Sequence, residues 1–139
     1  MNTFTFGELY IGQCESFQKE ITAEMADQFK ALTGDENPIH TDKEYALKQG
    51  FLDRVVYGML TASLVSVLGG MYLPGRHCLI QAVEMKFLHP VYIGDILSVS
   101  GTVTDLHESV SQAVIRVAIT NGCNVRVCKG ILRAGVLSE

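Results

Sequence analysis

The polar pair best suited to chemistry is Asp35 and His40, five positions apart in the run Phe29-Lys30-Ala31-Leu32-Thr33-Gly34-Asp35-Glu36-Asn37-Pro38-Ile39-His40. A carboxylate and an imidazole held face to face form an acid/base pair. The first is ionised at neutral pH, and the second can accept or donate a proton there. Pro38 fixes its own φ and pushes Asn37 toward an extended conformation, so the loop carrying the pair is stiff. A plain turn also accounts for these residues, with Asp35 reversing the chain after a helix and His40 a satisfied polar side chain. For a bare D-x-N-P-x-H, the turn is the better account.

Other chemistries lack their residues. Cys14, Cys78, Cys123 and Cys128 show no CxxC spacing and no nearby histidine at zinc spacing, so they read as reduced, packed thiols, and no metal is expected. No glycine-rich phosphate loop or nucleophile elbow is present. His77 and His107 are expected in solvated turns, and His89 before Pro90 caps or packs a turn, where Asp95 also belongs. Lys48, Arg54, Arg76 and Lys86 are minor candidates for touching a phosphate group.

Hydrophobic residues make up 47% of the 139-residue chain and charged residues 19%, which suits one folded domain over 1–139 and excludes a disordered tail. The formal charge is -4, and no basic patch stands out, so nucleic acid is not an expected partner. The most apolar stretch, residues 55–73, is broken by Tyr57, Thr61, Ser63, Ser66 and Gly69-Gly70 and is no membrane span. Residues 1–10 have neither the basic start nor the apolar run of a signal peptide, which predicts a cytoplasmic protein.

The elements that must position the pair change period near residue 77. Thr22 caps a predicted helix with Met25, Phe29 and Leu32 on one face, stopped by Thr33-Gly34. Thr41 with Glu44 reads as a capping box opening a short helix over 42–48. Residues 57–68 are apolar on nearly every side, which predicts a helix buried all round and ended by Gly69-Gly70. Beyond it the pattern alternates. Leu79, Val83, Met85 and Phe87 share one parity, with Gln81 as an exception. Leu97, Val99 and Val103 form a second set, Ala113, Ile115, Val117 and Ile119 a third, and Val125, Val127 and Ile131 a less regular last strand. Short turns at 107–109 and 121–124 make the last three strands an antiparallel meander, and a weaker early strand covers 14–21. A helix apolar all round needs cover, and a curved antiparallel sheet wrapped round it supplies that. This is an α+β, hot-dog arrangement whose open edge and bare helix face predict dimerisation.

The run from Phe29 to His40 resembles the signature of the MaoC-like (R)-specific enoyl-CoA hydratases, through Phe29, Leu32, Thr33-Gly34-Asp35 and Asn37-Pro38-Ile39-His40, followed by the small Ala46. The resemblance continues in Tyr57-Gly58-Met59-Leu60 and in Phe87-Leu88-His89-Pro90-Val91-Tyr92-Ile93-Gly94-Asp95, spanning about residues 7–135. It implies that Asp35 and His40 are catalytic and add water across the C2–C3 double bond of a trans-2-enoyl thioester, or remove it, giving an (R)-3-hydroxyacyl thioester. It makes the Gly58 N–H the donor to the thioester oxygen, a role that suits a first-turn amide with no intrahelical partner. Ser66, two helical turns on, is expected near Asp35 or the substrate. Asn37 holds the loop, and Met59 is core first and acyl-pocket lining second. Members commonly carry histidine where this chain has Tyr57, which keeps a hydrogen-bonding tip beside the substrate with a different size, reach and acidity. The carrier implied is coenzyme A or an acyl carrier protein, with no further cofactor, and the assembly a homodimer or a set of dimers. The competing readings are a hot-dog module that only binds an acyl ligand or serves as a subunit, and a hot-dog thioesterase.

Overall fold

Strand β1 (Cys14–Glu20) leads into three helices, α1 (Ala23–Thr33), α2 (Pro38–Thr41) and α3 (Lys43–Lys48), and then to α4 (Gly58–Val67). Four strands follow: β2 (Cys78–Phe87), β3 (Ile96–His107), β4 (Gln112–Thr120) and β5 (Arg126–Val136). This is a computed structural model that describes residues 1–138. The strands make one antiparallel sheet in the order β1-β3-β4-β5-β2, so β1 and β2 are its edges. Its concave face packs on α4 through alternate side chains, with Leu97, Val99, Ile115, Val117, Ile119 and Leu132 fully buried. No helix among the described residues is long and apolar enough to cross a membrane.

Local chemistry accounts for the starts and stops. The Thr22 hydroxyl accepts from the Met25 N–H at 3.2 Å, and α1 ends on Gly34 at φ 75°, which a residue without Cβ adopts freely. Met25 and Phe29 pack on the core, but Leu32, expected beside them, is 82% exposed in the capped last turn of the helix. The short helix over 43–48 is capped by Asp42, whose Oδ1 accepts from the Tyr45 N–H, and not by Thr41. Thr41 closes α2 instead, a helical turn where the sequence suggested a loop. Asn37 caps that turn and Pro38 sits at its first position, where no N–H is missed.

The central helix departs most from expectation. Gly69-Gly70 do not end it. The chain continues through a wider π-type turn over Leu68–Tyr72, and helix and turn together bury Leu60, Leu64, Val65 and Leu68. The helix is not covered all round. Met59, Ser63, Ser66, Val67 and Met71 are exposed at helical spacing along one stripe. Ile80, Val83 and Phe87 continue that apolar surface onto the adjoining edge strand, with 39%, 46% and 52% exposed.

Two strand readings are corrected. A bulge between Ile80 and Ala82 reverses the parity of β2, so Ile80, not Leu79, shares the inner face with Val83, Met85 and Phe87. Gln81 sits in that bulge and accepts from the Gln112 side chain at 2.6 Å, which explains the polar exception. In β5 Val127 is buried as expected, together with Cys128, Leu132 and Ala134, while Val125 lies before the strand and is exposed and Ile131 faces outward opposite Glu84 and Arg116. His77, expected in solvent, is buried. The four cysteines are unbridged, and burial pushes the Cys128 thiol up to about 11.

Candidate active site

The Asp35–His40 loop is held from three directions. From behind, the Thr33 hydroxyl accepts from the Asp35 N–H at 3.2 Å while donating to the Phe29 carbonyl at 2.8 Å. Within the loop, Asp35 Oδ1 accepts from the Asn37 N–H at 3.0 Å and Asn37 Oδ1 accepts from the Ile39 N–H at 3.1 Å, two successive side-chain-closed turns. Across the loop, Tyr57 OH donates to the main-chain carbonyl of Asp35 at 2.7 Å.

His40 is fixed through its own ring. Its Nδ1 lies 2.6 Å from the Val55 carbonyl oxygen. A carbonyl only accepts, so Nδ1 carries the proton and Nε2 is left free to accept a proton or, once protonated, to give one. The Val55 N–H in turn donates to the Ile39 carbonyl at 3.0 Å, which ties the imidazole's acceptor to the same helical turn. The ring packs on Tyr57 with centroids 4.2 Å apart, and Tyr57 packs on Phe29 at 5.0 Å.

Tyr57 is therefore the joint of the site. It is only 3% exposed and also forms the N-cap of α4. Burial pushes its phenol above the ordinary tyrosine range, and the carboxylates of Asp35 and Glu36 add to the effect, so the hydroxyl remains a proton donor. The Tyr57 hydroxyl is thus engaged by the Asp35 main chain, while its ring lines the larger cleft.

Two clefts meet at this joint. The larger, about 560 Å³, is lined by Asp35, His40, Phe29, Tyr57, Gly58 and Met59. The smaller, about 290 Å³, takes its polar lining from His40, Gly58, Thr61 and His89, and is otherwise walled by apolar groups from Phe51 to Val91. His40, Gly58 and Phe87 belong to both. A Cβ on Gly58 would sit 3.2 Å from the Phe87 ring, so glycine keeps the junction open. Gly58 is the first residue of α4, where amides point out of the helix without an intrahelical acceptor and the helix dipole favours negative charge.

The fold thus brings Asp35, His40, Asn37, Tyr57, Gly58 and Met59 together. Met59 is 66% exposed and belongs to the cleft wall, not to the core. Ser66 is not with them. It lies on the exposed stripe of α4 and lines neither cleft. The sequence did not point to Val55, because a carbonyl group carries no residue-specific signal. His89, read as a turn residue, turns out to line the smaller cleft. No cluster of histidine, cysteine and acidic side chains able to hold a metal occurs among the described residues.

Residues 11–126 match the MaoC-like domain. A 3-hydroxybutyryl-CoA dehydratase of Methylorubrum extorquens is 37% identical over 101 residues, which are 73% of this chain and 64% of that protein, so the match leaves about a third of that relative uncovered. An (R)-specific enoyl-CoA hydratase of Aeromonas caviae is 35% identical over 111 residues, 80% of this chain and 83% of its own. An unliganded R-hydratase from Pseudomonas aeruginosa superposes with a TM-score of 0.91 at 27% identity, covering 99% of this chain and 88% of its own. The sheet seats its helix as in that hydratase and the matched residues include the whole Asp35–His40 loop, so the chain belongs to the MaoC-like dehydratase domain family.

Proposed function

We propose that the chain is a hydro-lyase that adds water to a trans-2-enoyl thioester, or removes it, with an (R)-3-hydroxyacyl thioester as the hydrated partner. The observation that carries the reading is one junction where Asp35, a tautomer-fixed His40 and the first amide of α4 face the same space. As the water oxygen bonds to C3, Asp35 takes one of its protons and the double-bond electrons move toward the thioester oxygen. The Gly58 N–H meets that negative charge. C2 then receives one proton back, with His40 Nε2 orienting the water and relaying the proton. Water has gained no net charge and lost no atom, and the same steps reversed dehydrate. The relatives named above support this class of reaction with coenzyme A as carrier, and a mitochondrial 3-hydroxyacyl-[acyl-carrier-protein] dehydratase of Solanum lycopersicum, 43% identical over 67 residues that are 48% of this chain and 39% of that protein, supports acyl carrier protein as the other. The test is loss of the enoyl-thioester absorbance of crotonyl-CoA, followed by chiral analysis of the 3-hydroxy product. An absorbance that stays constant with both coenzyme A and carrier-protein substrates of several lengths would hand the site to the acyl-binding reading.

Tyr57→Phe keeps the ring against His40 and removes only the bond to Asp35. One positional hydrogen bond is worth about 0.5–1.5 kcal/mol, so kcat should fall roughly three- to tenfold with KM little changed. A raised KM at constant kcat would return Tyr57 to a substrate contact.

The assembly proposed is a homodimer. An edge strand with Ile80, Val83 and Phe87 partly bare beside the exposed stripe of α4 forms one apolar surface at the rim of the site, the kind of surface and edge that proteins cover. Ser66 lies on this stripe, so a second copy would bring it near a site. Light scattering at micromolar concentration should give twice the mass of 15.2 kDa, and an active monomer would refute the pairing.

A further inference from the structure

The outward face of the sheet carries a charge pattern that hydration chemistry does not use. Strands β2, β4 and β5 hold five of the chain's 11 cations, Lys86, Arg116, Arg126, Lys129 and Arg133, but only one of its 15 acidic residues, Glu84. Pairing places them together. Lys86 stands directly opposite Lys129, and Ile131, two residues along from Lys129 on the same face, pairs with both Glu84 and Arg116. All five cations are exposed, and Lys86, Arg116, Arg126 and Lys129 line one cleft of about 250 Å³ together with Glu84.

Like charges directly opposite on neighbouring strands repel. Among the described residues none of the five makes an ion pair, Glu84 included as a partner. An exposed position on an edge strand accommodates a lysine, which accounts for Lys86. It does not explain Lys129 and Arg116, which stand on the interior strands β5 and β4. The face therefore carries a net excess of four positive charges, with Glu84 offsetting one of the five cations but pairing with none of them.

Resting on the hydro-lyase reading, we propose that this face docks an acidic carrier protein that presents the acyl thioester on its own flexible arm. Position supports it. Lys86 directly precedes Phe87, the wall shared by both clefts, and the N–H groups of Leu88 and His89 on the rim of the smaller cleft donate to the Val127 carbonyl, between Arg126 and Lys129. A partner on the cations therefore sits at the reverse side of that rim. Extent supports a protein over a small anion: Arg126 and Arg133 are seven residues apart on one strand, about 20 Å at strand rise. A nucleotide end would want something to read or stack its base, and no aromatic ring or side-chain amide lines this cleft. Outside these three strands the chain carries 14 acidic residues against six cations, so an acidic partner is favoured on this face over the rest of the surface taken together.

The test compares Lys86→Glu/Lys129→Glu with the unaltered protein on crotonyl thioesters of pantetheine, coenzyme A and an acyl carrier protein. For the carrier-protein substrate kcat/KM should fall about tenfold or more, and its dependence on salt should flatten. The pantetheine thioester should be turned over within twofold of the unaltered rate, and Lys86→Gln/Lys129→Gln should show a smaller loss on the carrier-protein substrate alone. Unchanged carrier-protein rates overturn the proposal, as does an equal loss on all three substrates in both variants. A loss confined to coenzyme A would assign the cations to nucleotide phosphates, and tighter binding of a DNA duplex than of the carrier protein would assign them to nucleic acid. Either result overturns it too. If the unaltered protein is silent on all three thioesters, the hydration reading has failed, and direct titration with the carrier protein, weakened by the charge reversals, still decides the docking face.

Discussion

Asp35→Asn should lower hydration of crotonyl-CoA by about 10²–10⁴-fold, the usual range for removing a positioned general base. The substitution isolates that role. Asparagine keeps an oxygen where Asp35 Oδ1 accepts from the Asn37 N–H, and the main-chain carbonyl that receives the Tyr57 hydroxyl is untouched. Asp35 is also exposed, so the stability change should stay within about 0.5 kcal/mol. Paired measurements of rate and thermal midpoint separate the outcomes. A large loss of rate at constant midpoint is the signature of the base. A loss of rate below tenfold in a folded variant would remove Asp35 from that role and leave His40 and the Gly58 amide to account for any activity.

The pair was legible in the sequence because its geometry is local. Six residues, one of them proline and one an Asx cap, set the backbone path from Asp35 to His40, and no distant contact is needed to see that they share a loop. Gly58 was legible for a similar reason, as the first residue of the chain's most apolar helix. What fixes His40 was not. Its ring is held by the carbonyl of Val55, fifteen positions away, and any residue type could have supplied that group. Tyr57 could be named but not assigned, since whether its hydroxyl serves substrate or Asp35 depends on packing between α1 and α4. The basic face escaped for the opposite reason. Its cations are spread over the 48 residues from Lys86 to Arg133, and only strand register brings Lys86 against Lys129. The bulge at Gln81 likewise reverses which of Leu79 and Ile80 faces inward, a one-residue change that alternation alone does not reveal.

The seat of the central helix supports a second large effect. Leu68, in the π-type turn that continues α4, is fully buried, and Gly101 on β3 lies directly beneath it. A Cβ at Gly101 would come within 2.8 Å of a Leu68 methyl and 2.9 Å of Ile115 Cγ2. The missing side chain is what lets the helix settle onto the sheet at this depth, and that depth in turn sets where the Gly58 amide stands against Phe87. Leu68→Ala should destabilise the fold by about 2–5 kcal/mol through lost burial and the cavity left behind. Gly101→Ala should cost about 1–3 kcal/mol by overpacking. If the two residues form one contact, the double variant must be more stable than the sum predicts, because the new methyl enters the space that Leu68 vacates. The contact with Ile115 remains, so the compensation is partial, and a coupling of about 1 kcal/mol is expected. Denaturant unfolding of the four proteins measures it. Additivity within about 0.5 kcal/mol would mean that the sheet yields at β3 independently of the helix, and the depth of α4 would then have to be set by Leu64, Val65 and their partners on β4 and β5 instead.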